Sequence, residues 1–540
     1  MAEQVTIGVT GPQGEKRFLL QDQGRLRSLL QWTLIVGLGT CFATALLVIS
    51  SQSTAIAAVG LAIVLGLACW PIASYFPGTI ETGLLFALAF TLTISLKKHL
   101  IFRTGHMGGA VGLRVSITEI LLALLLVAIA YRLRTNRTFR IQVETPILLA
   151  FLAYFGMATL SAILGNDLEL GLFELSALVQ AFLLFVFVRN VVNNERRFKV
   201  FVAGLVAGLI LQSGVAVVQS YRPGTLNLSF LGAGEQEVDT SVEGDIALPD
   251  VDLGATILNG QIQERPTGLL IHPNVLAIYF VLVMPVAMAA AIALRGSWLQ
   301  LLAGAALGLS TLALYLTLSR SGWAGLAAAV ALAAVFWRWW KPIRLSLHKK
   351  LVLSLIVLAL TCAAAMKAPT IIERWSTSFN EAVSFRTSLA ETSWNMVKAH
   401  PFLGVGLNSF ITVVEHYDQT KMSRVKAFPV HNILLLEFSE TGILGGLAFL
   451  ILWIVTIHTL FAAARRTASP FPRVVALFTS CGIVGFFLAD MTGFTYRIPI
   501  ITSLVWALVA LALCAEHLVP SRAANSFAFE PELIENDIRG

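Results

Sequence analysis

The sequence predicts an all-α membrane protein, a polytopic bundle of about 12–14 transmembrane helices with a large helical loop on one side. The chain of 540 residues is 56% hydrophobic and only 13% charged, and its mean hydropathy is +0.78. Soluble chains carry about 25% charged residues. The apolar residues also gather in runs of roughly 20, the length that a helix needs to cross a bilayer. These observations exclude a soluble globular protein.

Fourteen apolar runs are predicted to span the membrane, and the second and third are the weakest. The runs are 29–49, 54–75, 79–96, 115–131, 144–164, 171–189, 199–219, 267–294, 298–318, 321–340, 351–367, 433–461, 472–490 and 499–516. The predicted organisation is a tail 1–28, a bundle 29–219, a loop 220–265, helices 266–367, a loop 368–432, helices 433–516 and a tail 517–540. Loops as long as these two are usually functional or disordered.

Lysine and arginine residues orient the runs, because the cytoplasmic loops of membrane proteins are enriched in both. If both tails are cytoplasmic, most basic residues outside the runs share the cytoplasmic side. They are Lys16, Arg17, Arg25, Arg27, Arg132, Arg134, Arg137, Arg140, Arg189, Arg196, Arg197, Lys199, Arg338, Lys341, Arg344, Lys349, Lys350, Arg465, Arg466 and Arg473. The segments 220–265 and 368–432 then face outward.

One loop runs against this charge bias. Residues 97–114 contain Lys97, Lys98, Arg103 and Arg114, yet the alternation of runs places them on the outer side. Reversing the orientation would move the larger cluster around Arg132 outward instead. We therefore keep the orientation and expect a basic outer loop here.

Two short motifs place arginines at the outer ends of predicted helices. Arg265 precedes the eighth run in ERPTGLLIHPN, and His272-Pro273-Asn274 is expected about two turns inside that run. Arg320 lies in TLSRSGW, in a very tight turn between the ninth and tenth runs. An interfacial anchor explains Arg265 equally well, and a snorkelling side chain is the simplest interpretation of Arg320. An outer arginine in so short a turn nevertheless runs against the positive-inside bias.

The loop 368–432 is predicted to contain an amphipathic helix that ends at His400. Its apolar residues recur at helical spacing. They are Phe385, Leu389, Ala390, Trp394, Met396 and Val397. Arg386 is expected on the first turn, where a solvated face would also explain it. Gly404 and Gly406 are expected to form a turn, since no strand precedes them as a nucleotide-binding loop would require.

The stretch VHNILLLEFSETGILGG ends this loop and starts the next helix. His431 and Asn432 lie at the boundary, and Glu437 and Glu440 lie within the apolar run. Ionisable groups inside a transmembrane segment suggest a function, although helix packing also explains them, and Glu440 is expected only to finish a turn before Gly442.

The sequence gives no sign of a metal site. The histidines are too scattered for a ligand pattern. All five cysteines lie in apolar segments, without a partner in a loop, so neither a disulfide framework nor a zinc site is suggested. We therefore expect neither a metal nor another cofactor.

The motifs ERPTGLLIHPN, TLSRSGW, FRTSLAETSWNMVKAHPFLGVGLNSF and HNILLLEFSETGILGG follow one another as in the O-antigen ligase and O-antigen polymerase superfamily. The resemblance covers residues 265–446 in detail and the rest of the chain only as a hydrophobic bundle. It implies a metal-independent glycosyltransferase of the bacterial inner membrane. The donor would be a glycan on undecaprenyl pyrophosphate at the periplasmic face. The acceptor would be a hydroxyl of lipid A-core, another repeat unit or a protein, and no nucleic acid is expected.

The resemblance also implies roles for individual residues. Arg320, Arg386 and His431 correspond to catalytic residues of the superfamily. The expected substrate-binding residues are Arg265, Asn432 and Glu437. This chemistry suits the residue types, because a guanidinium binds phosphate oxygens through a fixed fork and stays charged. Histidine is the natural base for a hydroxyl near neutral pH, and direct attack from the opposite face would invert the anomeric centre.

Two other classes of protein stay open at this point. A secondary transporter or flippase for a glycolipid or small solute also has many spans and intramembrane acids, but its site usually lies near the midplane. A non-catalytic membrane assembly factor would retain its function without the arginines. Within the superfamily, ligase and polymerase share the donor and the site, so the sequence does not separate them.

Overall fold

The computed structural model describes residues 77–94, 97–103, 106–123, 141–221, 255–258, 261–294, 296–340, 379–420 and 428–518. Contacts divide the chain into two units, Met1–Gly83 and Leu84–Gly540. Every contact discussed below lies within the second unit. The predicted spans 29–49, 54–75 and 351–367, both predicted tails and most of the loop 220–265 lie outside the described residues.

The described part of the chain is almost entirely helical. Its helices are α1 (Pro77–Thr91), α2 (Thr145–Leu164), α3 (Leu168–Val191), α4 (Glu195–Tyr221), α5 (Pro273–Ala293), α6 (Trp298–Leu316), α7 (Arg320–Trp340), α8 (Phe379–Ala399), α9 (Phe410–Tyr417), α10 (Ile433–Arg466), α11 (Pro470–Asp490) and α12 (Pro499–Cys514). Within the described residues, nine helices are long and apolar enough to cross a membrane, namely α2–α7 and α10–α12. The protein is therefore a multi-pass membrane protein, and the predicted all-α class is confirmed.

Two small hairpins accompany the helices. The first pairs β1 (Lys97–Phe102) with β2 (Gly112–Ser116), and the second pairs β3 (Ala255–Leu258) with β4 (Gln261–Glu264). The first hairpin occupies the basic loop 97–114, where no strand was predicted. It also corrects two predicted spans, because α1 ends at Thr91 and the next helix starts only after Ser116.

That next helix starts at Ile117 for a local reason. The Ser116 N–H donates to Glu119 Oε2 at 2.6 Å, and the Glu119 N–H donates to Ser116 Oγ at 3.5 Å. This reciprocal pair is a capping box, which satisfies two backbone donors at a helix start. The predicted span 115–131 therefore begins too early, inside β2.

The predicted span 267–294 also begins too early. Gly268 has a φ of +63°, and α5 starts at Pro273 with His272 as its N-cap. Proline suits the first turn because its missing N–H would have no helical partner there. The HPN triplet therefore starts α5 instead of lying two turns inside it.

Close packing of small residues fixes where α7 begins. A Cβ on Gly322 would lie 2.6 Å from Ala277 Cβ of α5, and a Cβ on Gly325 would lie 2.8 Å from the Gly485 carbonyl oxygen of α11. Helices in lipid associate through such small residues, because these let the backbones approach. The tight contact with the mostly buried α5 sets the position of Arg320.

The long helix α10 is broken at Gly442, whose φ is +71° and ψ is −176°. That conformation is essentially restricted to glycine. A segment that we name the strap, residues 401–406, crosses the break. A Cβ on Gly404 would collide with the backbone of Glu440 and Gly442, and a Cβ on Gly442 would collide with the backbone of Phe402 and Leu403.

Backbone hydrogen bonds join the strap to the break in α10. They are Val405 N–H to the Ser439 carbonyl at 2.9 Å, Gly406 N–H to the Glu440 carbonyl at 3.0 Å, and Ile443 N–H to the Pro401 carbonyl at 2.7 Å. Irregular backbone is tolerated in a membrane protein only where its polar groups are paired or hydrated. The two glycines of the strap therefore serve this crossing and do more than form a turn.

Candidate functional site

The turn between α6 and α7 carries Arg320 as the first residue of α7. Leu318 has a φ of 51°, an uncommon value for a residue with a side chain. Ser319 Oγ accepts a hydrogen bond from the Gly322 N–H at 3.4 Å, which helps to cap α7. The backbone thus reverses abruptly and leaves Arg320 half-buried at the helix end.

Arg265 joins this turn to the HPN motif. Its Nε donates to the Thr317 carbonyl at 2.6 Å, and its Nη2 donates to Asn274 Oδ1 at 2.7 Å. Thr317 ends α6, where carbonyl groups lack helical partners and a cation is favoured. The guanidinium therefore holds the two motifs that surround Arg320.

Arg386 lies about two turns into α8, not on its first turn as predicted, because the helix starts at Phe379. Leu389 and Met396 of α8 are buried in a small cluster with Val414 and Leu436. Trp394, which was predicted to share the apolar face, is 54% exposed. The buried face packs α8 against the start of α10 and so brings Arg386 toward His431.

His431 is surrounded by aromatic rings. Its ring centroid lies 5.3 Å from that of Phe494, 6.3 Å from that of Phe385 and 6.4 Å from that of Phe428. Phe385 directly precedes Arg386 on α8, so one short stretch contributes both an aromatic wall and a cation. The next residue, Asn432, caps α10, since its Oδ1 accepts from the Leu435 N–H at 3.1 Å.

Electrostatic effects show that the three predicted catalytic side chains lie near one another. Burial and the neighbouring charge of Arg320 lower the pKa of Arg386. Burial, and then the charge of Arg386, lower the pKa of His431 to about 4, although a hydrogen bond with the backbone of Pro429 opposes this. The histidine is therefore neutral at pH 7 and can accept a proton, while the two arginines form a place where an anion would relieve their repulsion.

A cavity of about 260 Å³ lies beside His431. Its lining comes from the first hairpin, the HPN motif, the turn between α6 and α7 that contains Ser319 and Arg320, which we name the SR turn, and the connection after α11. The lining residues that bear polar side chains are Lys97, His99, His106, Arg114, His272, Asn274, Ser321, His431, Asp490, Thr492 and Thr495. Arg320 and Arg386 do not line this cavity, whereas His431 and Ser321, the residue after Arg320, do.

The two glutamates of α10 have a partner that the sequence did not suggest. Arg497 Nη2 donates to Glu440 Oε2 at 2.6 Å, and Arg497 Nε lies 2.9 Å from Glu437 Oε1. Glu174 of α3 lies 3.4 Å from the same guanidinium, and Tyr154 donates to Glu437 Oε2 at 3.0 Å. Glu437 is fully buried and does not line the cavity.

Glu440 does more than finish a turn, contrary to expectation. Its carboxylate accepts from the N–H groups of Asn408 at 2.8 Å and Phe410 at 3.0 Å, beyond the strap. It therefore fixes the start of α9 to α10. Removing it would leave these backbone donors and Arg497 Nη2 without their acceptor.

Asn408 then connects this cluster to the cavity. Its Nδ2 donates to the carbonyl oxygens of Ala110 at 2.8 Å and Leu170 at 3.0 Å, and its Oδ1 lies 2.8 Å from His106 Nε2. The Ala110 N–H in turn donates to Glu174 Oε2 at 2.7 Å. The cluster around Arg497 thereby holds the hairpin loop that forms one side of the cavity.

Sequence reasoning missed Arg497 and the hairpin, yet signals for both were present. Two buried carboxylates within a predicted span demand a counter-charge, and Arg497 is a cation between the last two spans. The basic loop 97–114 violated the positive-inside bias, and the structure brings Lys97 and Arg114 to the same cavity as His431.

Residues 305–450 match the family model described as O-antigen ligase. The matched segment contains the SR turn, α8, the strap, His431 and the break in α10. No curated protein matches the sequence. Within the described residues, no group of three or more His, Cys, Asp or Glu side chains is arranged to hold a metal ion.

Proposed function

We propose that the protein moves a glycan from undecaprenyl pyrophosphate to an acceptor hydroxyl, a proposal supported by the match of residues 305–450 to the family model described as O-antigen ligase. The reaction takes place on the periplasmic face of the bacterial inner membrane and needs no metal. The observation that carries this proposal is the grouping of a neutral histidine with two arginines beside a cavity.

In the proposed reaction, Arg320 and Arg386 bind the donor pyrophosphate. The acceptor oxygen attacks the anomeric carbon and His431 takes the hydroxyl proton. The bond between that carbon and the phosphate oxygen breaks, its electron pair goes to the pyrophosphate, and the configuration inverts. Fixed cations in a site with little water stabilise the charge that develops on the leaving group.

Arg265, Asn432 and Glu437 have positioning roles in this proposal. Arg265 holds the turn that carries Arg320. Asn432 fixes the start of α10 directly after His431. Glu437 acts through Arg497, which stabilises the hairpin side of the cavity through Glu174.

A transfer assay with the full chain in lipid nanodiscs and a lipid-linked glycan donor tests the proposal. We expect H431A and R386A each to lower kcat by about 10²–10⁴-fold, the usual contribution of a general base or of charge stabilisation in a transition state. H416A and R338A are matched controls, because both side chains are exposed and Arg338 lies at the opposite end of α7 from Arg320. Full activity of H431A or R386A would contradict this mechanism.

A further inference from the structure

The cavity beside His431 is also lined by a histidine that the proposed reaction does not use. His106 lies in the loop between β1 and β2, is 8% exposed and lines the cavity together with residues 107–111 of the same loop. Its Nε2 lies 2.8 Å from Asn408 Oδ1. What the ring of His106 can bind depends on which of its two nitrogens carries the hydrogen.

The side-chain amide of Asn408 has only one favourable orientation. Its Nδ2 donates to the carbonyl oxygens of Ala110 at 2.8 Å and Leu170 at 3.0 Å, which uses both amide hydrogens. Exchanging the amide nitrogen and oxygen would bring the oxygen against two carbonyl oxygens, and none of the three carries a hydrogen. Asn408 Oδ1 therefore faces His106.

This orientation determines the tautomer of His106. An amide oxygen only accepts, so Nε2 of the ring must donate to it. Burial, the largest effect, lowers the pKa of His106 below its ordinary value of 6.5. In the neutral ring, the other nitrogen is a hydrogen-bond acceptor. That nitrogen, Nδ1, has no hydrogen-bond partner within the described residues and is not sealed from solvent, so it offers its lone pair to the cavity.

The position of this acceptor atom is fixed relative to His431. Asn408 is 1% exposed, and its N–H donates to Glu440 Oε2 at 2.8 Å. In the same loop as His106, a Cβ on Gly108 would lie only 3.0 Å from Pro429 Cβ, two residues before His431. The loop therefore has the support that a precise binding site requires.

We propose that His106 Nδ1 accepts a hydrogen bond from a hydroxyl of the acceptor glycan, other than the hydroxyl that loses its proton. This inference rests on the proposed function, in which Arg320 and Arg386 bind the donor pyrophosphate and do not line the cavity. The cavity beside His431 then holds the acceptor. A site that pairs with a particular hydroxyl discriminates against analogues that lack it. His106 thus determines which acceptors the enzyme uses, and it takes no part in the making or breaking of bonds.

The simpler alternative is that His106 only holds the loop through Asn408, and two substitutions separate these roles. The amide nitrogen of glutamine reaches the position of Nε2, so H106Q keeps a donor for Asn408 Oδ1 and removes the acceptor at the position of Nδ1. The amide oxygen of asparagine reaches the position of Nδ1, so H106N keeps the acceptor and removes the contact with Asn408. Thermal unfolding of both variants in detergent controls for folding.

The experiment compares acceptors in the transfer assay with the full chain in nanodiscs. The acceptor glycan is isolated from the glycolipids of a strain that lacks the protein, and synthetic analogues each lack one of its hydroxyls. We expect the wild type to use one analogue that keeps the reacting hydroxyl with about tenfold lower kcat/KM, in line with the value of one hydrogen bond. H106Q should lose about tenfold with the complete acceptor and treat that analogue equally, with the donor KM unchanged. H106N should still discriminate between the two.

Three results would overturn the inference. If the wild type uses every analogue that keeps the reacting hydroxyl equally well, no second hydroxyl is recognised, and this result needs no variant. If H106Q still discriminates against the analogue, or if only H106N loses activity, His106 serves to hold the loop. If H106Q raises the donor KM, Nδ1 contacts the donor instead.

The failure of this inference and the failure of the proposed function look different. If the wild-type protein transfers no glycan from any lipid-linked donor, the proposed function is wrong and the inference falls with it. If transfer occurs but H106Q keeps wild-type kcat/KM with every acceptor, only the inference about His106 is wrong.

Discussion

At the scale of single residues, the surroundings of His431 determine the protonation state of its side chain. Burial disfavours the imidazolium ion, and Arg386 adds a repulsive charge. The side chain is therefore unprotonated long before pH 7 is reached, which keeps it ready as a base. A pyrophosphate between the arginines would partly cancel their effect and make the same ring a better proton acceptor once the donor is bound.

The pKa of His431 predicts an unusual pH profile. The neutral ring accepts the proton, so kcat/KM should be high above the pKa and fall as the pH drops through about 4. Each phosphate of a pyrophosphate that is esterified at both ends has a single, strongly acidic oxygen, so both phosphates stay ionised over this range. The measurement is kcat/KM between pH 3.5 and 8, with recovery at pH 7 as a control for unfolding. A midpoint near 6.5, the ordinary value for histidine, would contradict the assignment.

Arg497 is the residue whose loss should damage the fold most. It is 1% exposed and faces three carboxylates, and removing one partner of a buried ion pair costs about 3–5 kcal/mol. We expect R497Q to lower the stability of the fold, measured as the temperature of thermal unfolding in detergent. Adding E437Q to R497Q should recover part of the loss, because it removes one uncompensated charge. Equal stability of R497Q and the wild type would refute this role.

The sequence led to the proposal of His431, Arg320 and Arg386 because each lies in a short motif whose order along the chain is itself informative, and their catalytic roles stay predictions. Arg497 was not, because its importance arises from Glu437, Glu440 and Glu174, which folding brings to it from two other helices. A sequence shows which charges lie in apolar runs, but it does not show which of them meet.

At the scale of elements, the break in α10 and the strap form one unit. The sequence placed α10 correctly as a span but gave no sign that Gly442 interrupts it, since a single glycine is tolerated in many helices. The hairpin was missed for another reason. Its strands are short, and basic residues alternate with apolar ones in a region that charge alone marked as a loop.

Gly442 should tolerate no side chain. G442A would place a Cβ against the backbone of Phe402 and force a residue with a side chain into a glycine-only conformation, at a backbone cost on the order of 1–3 kcal/mol. We expect a lower unfolding temperature and a loss of glycan transfer, since His431 directly precedes the part of α10 that leads to Gly442. G156A is the control, because a Cβ there meets nothing within 4 Å. Equal unfolding temperatures and equal transfer activities of G442A and G156A would argue against a close contact between the strap and Gly442.

At the scale of the whole molecule, most helix bounds agree with the predicted spans to within a few residues, especially where proline opens the helix, as at Pro470 and Pro499. A long hydrophobic run directly indicates that a segment lies in the lipid bilayer. The arrangement of those helices around one cavity depends on side-chain contacts between distant elements. The predicted orientation stays a prediction, although the basic loop and His431 do lie together, as that orientation requires.

A strain that lacks the protein should separate the two proposed activities. Loss of a polymerase leaves single repeat units on the surface, whereas loss of a ligase leaves long chains on the lipid carrier. Gel analysis of surface polysaccharide together with analysis of lipid-linked glycans measures both outcomes. Complementation with the wild-type chain and with H431A is the control. Unchanged glycans would argue against either activity.

The ion cluster also sets an order of assembly. The strap precedes α10 in the chain, so the broken turn of that helix has its hydrogen-bond partners as soon as it is synthesised. Glu437 and Glu440 must wait for Arg497, which emerges only after α11. Until then, α10 carries two carboxylates that lipid would not accept. A chain that ends before Arg497 would therefore hold both carboxylates without the counter-charge that they have in the folded protein.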